Sequence, residues 1–181
     1  MDADFVYLSA RDIPQVRAQI VDVYRSALGQ PPYNMQEIDV RRFAETLLRH
    51  ATYEGFQGYA ARNRTNSRII GFTYGYTSRR GLWWRNIVEQ ALGPAQAAQW
   101  LEQAFEFVEL AVHPDAQGQG FGGHLHDTLL SNLPYRTAVL STAQSETVAL
   151  TMYQRRGWVT LKEHFFFPGA LIPYRIMGLI L

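Results

Sequence analysis

A predicted strand, glycine-rich turn and helix between Phe105 and Gly123 constrain this chain more than any other feature. The alternating apolar run FEFVELAV predicts a strand, and Pro114 ends it. Four glycines between 118 and 123 then open an amphipathic helix. Such a turn can direct several backbone N–H groups at one anion, and the helix N-terminus adds partial positive charge. Glycines lack the Cβ that would keep a phosphate from the main chain. The segment therefore predicts a phosphate-binding site.

The composition is that of one globular domain. Apolar residues make up 47% of the chain and charged residues 18%, which excludes a disordered protein. A chain of 181 residues is long enough to bury a sizeable core, so we expect a single domain over residues 1–181. The formal net charge of +1 creates no field that would attract nucleic acid or anionic lipid, so neither partner is expected.

Several kinds of site are excluded by what the sequence lacks. There is no cysteine, which excludes disulfides, thiolate nucleophiles and cysteine-based metal sites. The histidines form no H-E-x-x-H pattern, and G-x-S-x-G is absent, so we expect neither a metal site nor a serine hydrolase. The acidic N-terminus does not resemble a signal peptide, and Pro168, Pro173 and Arg175 interrupt the apolar tail. We therefore expect a soluble cytoplasmic protein that does not enter the membrane.

The hydrophobic pattern predicts an α/β (α+β) fold, with a mixed central sheet of about seven strands flanked by helices. A short strand and two helices come first, followed by a hairpin of residues 56–61 and 69–76. After the glycine turn and its helix, we expect the remaining elements in the order strand, helix, strand, strand. Their predicted ranges are 137–141, 146–156, 158–166 and 172–180.

A tryptophan-rich segment from Arg79 to Gln103 forms a helical insertion between the third and fourth predicted strands. Gly93 and Pro94 divide it into two short helical patterns. We interpret Trp83 and Trp84 as substrate-binding residues whose indole faces hold an ammonium group. The alternative is that these two side chains pin the insertion to the sheet. The arginines of the segment are predicted to form a solvated rim; they are Arg79, Arg80 and Arg85.

A dinucleotide site is a competing interpretation of the glycine turn. Residues 118–123 fit the fingerprint G-x-G-x-x-G, which is weak evidence when it stands alone. Here residues 113–117 separate the strand from the first glycine, and no acidic residue lies about 20 residues further on to bind a ribose. The lysine of a P-loop is also missing. The context therefore disfavours a dinucleotide.

Two motifs instead resemble the GNAT superfamily of N-acetyltransferases. Val112-His-Pro114 followed by Gln117-Gly-Gln-Gly-Phe-Gly122 is similar to the family's acyl-coenzyme A signature, V-x-P and then [RQ]-x-x-G-x-[GA]. The stretch ALTMYQRRGW at 149–158 is similar to its A-x-x-x-Y-x-x-x-G-[FW] pattern. The two motifs occur in the family's order and separation. The resemblance covers nearly the whole chain except the insertion, and it implies a GNAT-like acyl-CoA N-acyltransferase fold.

The resemblance also implies a reaction and its partners. Acetyl-CoA would be the co-substrate, and a primary amine of a small molecule or peptide would accept the acetyl group by direct transfer in a ternary complex. The main chain of one strand would bond the pantetheine arm, and backbone N–H groups of the turn would hold the pyrophosphate. These cofactor-binding residues are Leu110, Ala111, Val112, Gln117, Gly118, Gln119, Gly120, Phe121, Gly122 and Gly123. A homodimer is also consistent with the resemblance.

Acetyl transfer to an amine requires two proton transfers. Deprotonating an alkylammonium of pKa ~10.4 near pH 7 costs about 4.6 kcal/mol, which a general base can partly offset. Glu109 is the candidate base because its predicted face is otherwise apolar, so burial would raise the pKa of its carboxyl. Glu106 is the second candidate for this role, and we also expect it to bind substrate. The alternative for Glu109 is a solvated or ion-paired carboxylate.

Tyr153 is the candidate proton donor to the departing thiolate, because the resemblance aligns it with the family's general-acid tyrosine. A phenol is protonated at neutral pH and can donate. The alternative is a core tyrosine with a satisfied hydroxyl group. Glu146 departs from the family pattern, which often has asparagine seven residues before this tyrosine. A second functional hypothesis is a non-catalytic acyl-CoA sensor or interaction module of the same fold.

Overall fold

Residues 2–181, which the computed structural model describes, form seven strands and five α-helices. The strands are β1 (Ala3–Leu8), β2 (Gln57–Asn63), β3 (Ile69–Thr77), β4 (Ala104–Val112), β5 (Thr137–Ala143), β6 (Val159–Phe165) and β7 (Tyr174–Ile180). The helices are α1 (Ile13–Leu28), α2 (Glu37–His50), α3 (Trp83–Trp100), α4 (Phe121–Leu130) and α5 (Val148–Arg155), and a short 3₁₀ turn covers Pro114–Ala116.

The strands form one mixed sheet in the order β1-β2-β3-β4-β5-β7-β6. Strands β4 and β5 are parallel, whereas the pairs β1–β2, β2–β3, β5–β7 and β6–β7 are antiparallel. This arrangement confirms the predicted mixed sheet of about seven strands, and α3 confirms the predicted helical insertion between the third and fourth strands.

The chain divides into two compact units that share strand β4. The first runs from the N-terminus to Tyr76 and includes Val108–Ser131; the second consists of Thr77–Phe107 and Asn132–Leu181. In the first unit, helix α4 packs Phe121 and Leu125 against Ala61 and Ile70 of the sheet. In the second unit, helix α3 packs against β5 and β7 through Val88, Ala97, Trp100, Val139 and Ile176. Each unit therefore has its own apolar core.

Strand β4 contains one residue more than its antiparallel neighbour between two backbone hydrogen bonds. Ser78 N–H donates to Ala104 O at 2.9 Å, and His113 N–H donates to Ile70 O at 2.8 Å. The chain advances eight residues along β3 between these bonds but nine along β4, which is the signature of a β-bulge. The sequence predicts that side chains of residues 105–112 alternate strictly between the two faces of the sheet. This prediction is wrong for the strand as a whole, because the bulge interrupts the alternation.

The insertion is a kinked helix, as Gly93 and Pro94 predict. Gly93 has φ 75° and ψ 170°, which interrupts α3 between two helical segments. Glycine reaches this conformation because it lacks a Cβ, and Pro94 fits at the start of the following segment because it has no N–H to donate. The kink allows both segments to place apolar residues, such as Val88 and Ala97, against the sheet.

Arg85 corrects one prediction about this segment. Its side chain is only 1% exposed, so it does not belong to a solvated rim, whereas Arg79 and Arg80 are exposed. Arg85 Nη1 lies 2.8 Å from Glu89 Oε2, and Nη2 lies 3.4 Å from Glu102 Oε1. A buried guanidinium requires such anionic partners. Glu89, one turn away, is visible in the sequence, but Glu102 reaches Arg85 only through the tertiary fold.

Close packing of α3 on β7 gives a direct stability prediction. A Cβ added at Gly178 would lie 2.5 Å from Trp100 Cε3 and 2.7 Å from Cζ3, and this rigid ring cannot yield easily. We expect Gly178→Ala to lower the free energy of unfolding by about 1–3 kcal/mol. Chemical denaturation measures this change. Replacing Trp100 with phenylalanine in the same variant should recover part of the loss; a Gly178→Ala protein as stable as the wild type would contradict the packing described.

Candidate active site

The glycine-rich turn in the first unit is built from left-handed glycines. After β4 and the 3₁₀ turn, Gly118 adopts φ 74° and Gly120 adopts φ 85°, and α4 begins at Phe121. A Cβ placed on either glycine would meet no atom within 4 Å, so the space in front of this main chain is open. Non-glycine residues disfavour these angles. The turn therefore exposes its backbone where side chains would otherwise lie.

The first turn of α4 offers backbone donors to an anion. Residues 121–123 precede the first backbone hydrogen bond of the helix, which His124 N–H donates to Gly120 O at 3.0 Å. Amides at these positions have no partner within a helix, and they carry the positive end of its dipole. Among the described residues, this first turn has no acidic side chain to compete with a bound anion. These features fit a phosphate group.

Two glutamine side chains brace the turn. Gln117 Nε2 donates to Val112 O at 2.9 Å, and Gln119 Nε2 donates to Asp115 O at 3.3 Å. Sequence reasoning assigned both residues to cofactor binding through their backbone only, and this bracing role was missed. At the other end, Phe121 and Leu125 are buried in the core of the unit. The turn is therefore held by the glutamine hydrogen bonds on one side and by the buried apolar side chains on the other. Val112 O already accepts one of these hydrogen bonds.

Glu109 lies in β4 in the same unit and is half-buried. Burial raises the pKa of its carboxyl from 4.5 to about 8, and a hydrogen bond from the Leu110 backbone only partly opposes this. Its main-chain O accepts a hydrogen bond from Thr73 Oγ1 at 2.9 Å, which ties β4 to β3. The direction of this shift is the one expected for a desolvated carboxyl, and the role of Glu109 as a base stays a prediction. A carboxyl of this pKa is well matched to proton abstraction near neutral pH.

Tyr153 is buried in the second unit, on helix α5. Its side chain is 6% exposed, and its ring makes edge contacts with Trp158 at 5.8 Å and with Phe107 at 6.1 Å between centroids. The helix begins at Val148 rather than at Glu146, because Thr147 caps it and accepts a hydrogen bond from Leu150 N–H at 3.0 Å. Glu146 therefore lies before the helix. A phenol in this setting is held in place by packing on its ring faces and edges.

Helix α5 also borders a groove that the sequence did not reveal. The groove has a volume of about 430 Å³, and its lining combines apolar, hydroxyl-bearing, basic and acidic side chains, the acidic one being Glu146. Val148 and Met152 supply apolar surface, whereas Arg155 and Arg156 supply positive charge. The A-x-x-x-Y-x-x-x-G-[FW] motif identifies only the buried side of this helix, so the residues facing the groove carried no sequence signal.

The remaining predicted site residues also lie in the second unit. Trp83 is 60% exposed and stacks on Phe167 at 5.6 Å between ring centroids. Trp84 is half-buried, packs against the core of the unit, and donates a hydrogen bond from Nε1 to Ser141 Oγ at 3.0 Å. Glu106 is 4% exposed and pairs with Val139 in the parallel ladder. Trp84 thus connects the insertion to the sheet, as the alternative interpretation predicted.

Within residues 2–181, the structure also bears on metal binding and on membrane crossing. No group of three histidine or acidic side chains is arranged to hold a metal ion. No helix in this part of the chain combines the length and the apolar character that crossing a membrane requires.

Comparison with known proteins finds similarity to acetyltransferases. The model of the GNAT acetyltransferase domain matches residues 89–176. A GCN5-like protein acetyltransferase of Mycobacterium tuberculosis is 30% identical over 127 residues, which cover 66% of this chain. The chain spans about 62% of the length of that relative.

The fold is shared with solved structures across almost all of the chain. The ribosomal-protein-S18-alanine N-acetyltransferase of Escherichia coli has a TM-score of 0.63 at 17% identity, covering 99% of this chain and 94% of that one. The PaiA N-acetyltransferase of Thermoplasma acidophilum, solved in complex with coenzyme A, has a TM-score of 0.65 at 15% identity, with both chains fully covered. The family model, the curated relative and the shared fold agree, and they show that the chain is similar to acetyltransferases of the GNAT superfamily.

Proposed function

We propose that this protein is an acetyl-CoA-dependent N-acetyltransferase that transfers the acetyl group directly to a primary amine of a small molecule or peptide in a ternary complex. The observation that carries the proposal is the turn at 117–123. Its left-handed glycines leave the main chain accessible, and the first amides of α4 have no partner within the helix. The match to the GNAT domain model and the coenzyme A complex of the PaiA protein support the same ligand. We also propose that residues 1–181 act as one domain, with 79–103 inserted.

Acetyl-CoA would supply an activated thioester. Backbone N–H groups of residues 117–123 would bind its pyrophosphate, since each hydrogen bond to a charged group contributes about 1.5–3 kcal/mol. The main chain of Leu110, Ala111 and Val112 would bond the pantetheine arm in the manner of an added strand. Val112 O already accepts from Gln117, so we expect Leu110 and Ala111 to provide most of the contact.

Glu109 is proposed as the general base. At physiological pH an amine arrives mostly as an ammonium ion and must lose a proton before it can attack a thioester. A carboxyl whose pKa is about 8 accepts that proton far more readily than an ordinary glutamate, either directly or through water. Its pKa still lies below that of a free alkylammonium, so binding of the amine in a desolvated site would have to lower the amine's own pKa.

Tyr153 is proposed as the general acid that protonates the departing thiolate. Its packing against Phe107 and Trp158 holds the phenol ring in place. On the acceptor side, Trp83, Trp84 and Glu106 are proposed to contribute aromatic surface and negative potential to amine binding. No metal is required for this chemistry.

Replacing Tyr153 with phenylalanine tests the acid role. We expect kcat to fall about 100-fold, because the variant lacks the proton donor. Stability should change by no more than about 1 kcal/mol, since both ring contacts remain. Tyr135→Phe is a matched control in the same unit, since it removes a hydroxyl that lies 2.7 Å from Thr77 Oγ1. A Tyr153→Phe enzyme with the kcat of the wild type would refute the assignment.

Release of coenzyme A thiol during incubation with a panel of primary amines tests the function itself. We expect turnover with at least one amine, together with acetylation of that amine detected by mass spectrometry. The sensor hypothesis predicts thermal stabilisation by coenzyme A without turnover. The dinucleotide hypothesis predicts stabilisation by NAD and none by coenzyme A.

A further inference from the structure

The hydroxyl group of Ser141 makes a hydrogen bond whose direction is determined. Trp84 Nε1 lies 3.0 Å from Ser141 Oγ, and an indole N–H can only donate. Ser141 Oγ is therefore the acceptor, and its own hydrogen atom remains available for another group. Within residues 2–181, the structure gives this hydroxyl no second partner. Ser141 is only half-buried, so a ligand can approach it.

Ser141 lies on the face of the sheet that α3 covers in the second unit. Val139, two residues earlier in β5, packs in the core that α3 forms, and residues two apart in a strand share a face. Val139 pairs with Glu106 in the parallel ladder, and side chains of paired residues point to the same face. Glu106 and Ser141 therefore lie on one face, about 6.6 Å apart along the strand direction.

We propose that this pair of side chains selects an amine that has a carbonyl group beside it, such as an amino-acid amide or the N-terminus of a peptide. The proposal rests on the proposed acetyl transfer and names its acceptor class. Ser141 donates its O–H to the carbonyl oxygen, and the Glu106 carboxyl accepts from the amine. A polyamine offers no carbonyl oxygen for this hydrogen bond. Specificity of this kind depends on a polar group that is left unpaired with the wrong substrate.

Trp84 is a positioning residue in this arrangement, because it acts through Ser141. By occupying one lone pair of the hydroxyl, the indole N–H limits the directions in which the Ser141 proton can point. Trp84 is held in turn by the apolar core beneath α3. The insertion therefore contributes to acceptor choice through one hydrogen bond to the sheet.

Nuclear magnetic resonance tests the proposal without relying on turnover. The Trp84 indole N–H signal is assigned by its absence in Trp84→Phe, and the protein is saturated with coenzyme A. We expect L-alaninamide to shift this signal more than 2-aminopropane does, and Ser141→Ala to remove the difference between the two amines. An indole signal that responds to neither amine, or equally to both, would overturn the proposal.

Steady-state kinetics supply the second readout. Ser141→Ala should lower kcat/KM for L-alaninamide about threefold to tenfold, mainly through KM, and leave 2-aminopropane unaffected. Trp84→Phe should lower kcat/KM for L-alaninamide more than for 2-aminopropane, and the double variant should lose no more discrimination between the two amines than either single one, because both changes remove the same interaction. Equal losses with both amines would contradict the proposal, since a purely structural role would affect them alike.

Thr137→Val is a matched structural control. It removes a hydrogen bond of 2.8 Å from the same strand to Trp100 O at the end of the same helix. We expect lower stability and an unchanged preference between the two amines. Failure of every amine to release thiol would contradict the proposed acetyl transfer, whereas the indole response to L-alaninamide decides the binding claim separately.

Discussion

Replacing Glu109 with glutamine should lower kcat/KM about 100-fold or more while making the protein more stable at alkaline pH. The loss of activity follows if the proposed general base is removed, since a general base typically contributes about 10²–10⁴-fold. The gain in stability follows from desolvation, which raises the pKa of the native carboxyl to about 8. Glutamine has a similar shape and carries no charge to bury. We therefore expect the Glu109 carboxyl both to act in catalysis and to lower the stability of the protein at alkaline pH.

The sign of the pH dependence follows from the direction of the pKa shift. Between about pH 4.5 and pH 8, folded Glu109 holds a proton that the unfolded chain has released. The free energy of unfolding therefore falls as pH rises through this window, by at most about 5 kcal/mol from this group. Glu109→Gln removes that contribution, so its stability should decline less between pH 5 and pH 8.

Denaturant titrations at pH 5 and pH 8 and a pH profile of kcat/KM measure both effects. In the wild type, kcat/KM should rise with pH through an apparent pKa near 8, and this limb should vanish in Glu109→Gln. Glu163→Gln is a control, because it changes a half-exposed carboxylate that lies 3.7 Å from Arg175. A Glu109→Gln enzyme that keeps full activity and the wild-type pH profile would exclude Glu109 as the base.

Substitution of Gly120 should separate the binding of coenzyme A from folding. Gly120→Ala places a methyl group in a left-handed position, which costs about 1–2 kcal/mol of stability. No protein atom lies within 4 Å of the new Cβ, so the protein can accommodate it sterically. The methyl group would occupy space that the proposed pyrophosphate needs. We expect affinity for coenzyme A to fall about tenfold to 100-fold, the equivalent of one lost hydrogen bond to a charged group.

Gly169→Ala is the matched control for this change. Gly169 has φ 81°, and a Cβ there also meets no atom within 4 Å, but the residue lies in the loop between β6 and β7. Both variants should lose similar stability, and only Gly120→Ala should lose affinity for coenzyme A in calorimetry. Equal affinities in the two variants would show that residues 117–123 form a turn without a phosphate-binding role.

The parts of the site that were predictable from sequence are those that local chemistry determines. The left-handed glycines and the start of α4 at Phe121 follow from residues within a few positions of one another. The same holds for the kink at Gly93, where glycine and proline act on their own backbone. These features depend on no distant contact.

The features that sequence analysis missed depend on distant partners. Arg85 looks like a solvated arginine until Glu102 approaches it, and the bond from Trp84 to Ser141 joins residues 57 positions apart. The bulge in β4 is likewise set by pairing with β3, so alternation within β4 could not reveal it. A single sequence contains these residues without showing which of them meet.

A calorimetric titration of the folded protein with coenzyme A measures whether residues 117–123 bind a diphosphate. We expect saturable binding of one coenzyme A per chain, with clearly weaker binding of a pantetheine analogue that lacks the diphosphate. A well-folded protein that binds neither compound, or that binds both with equal affinity, would contradict this expectation.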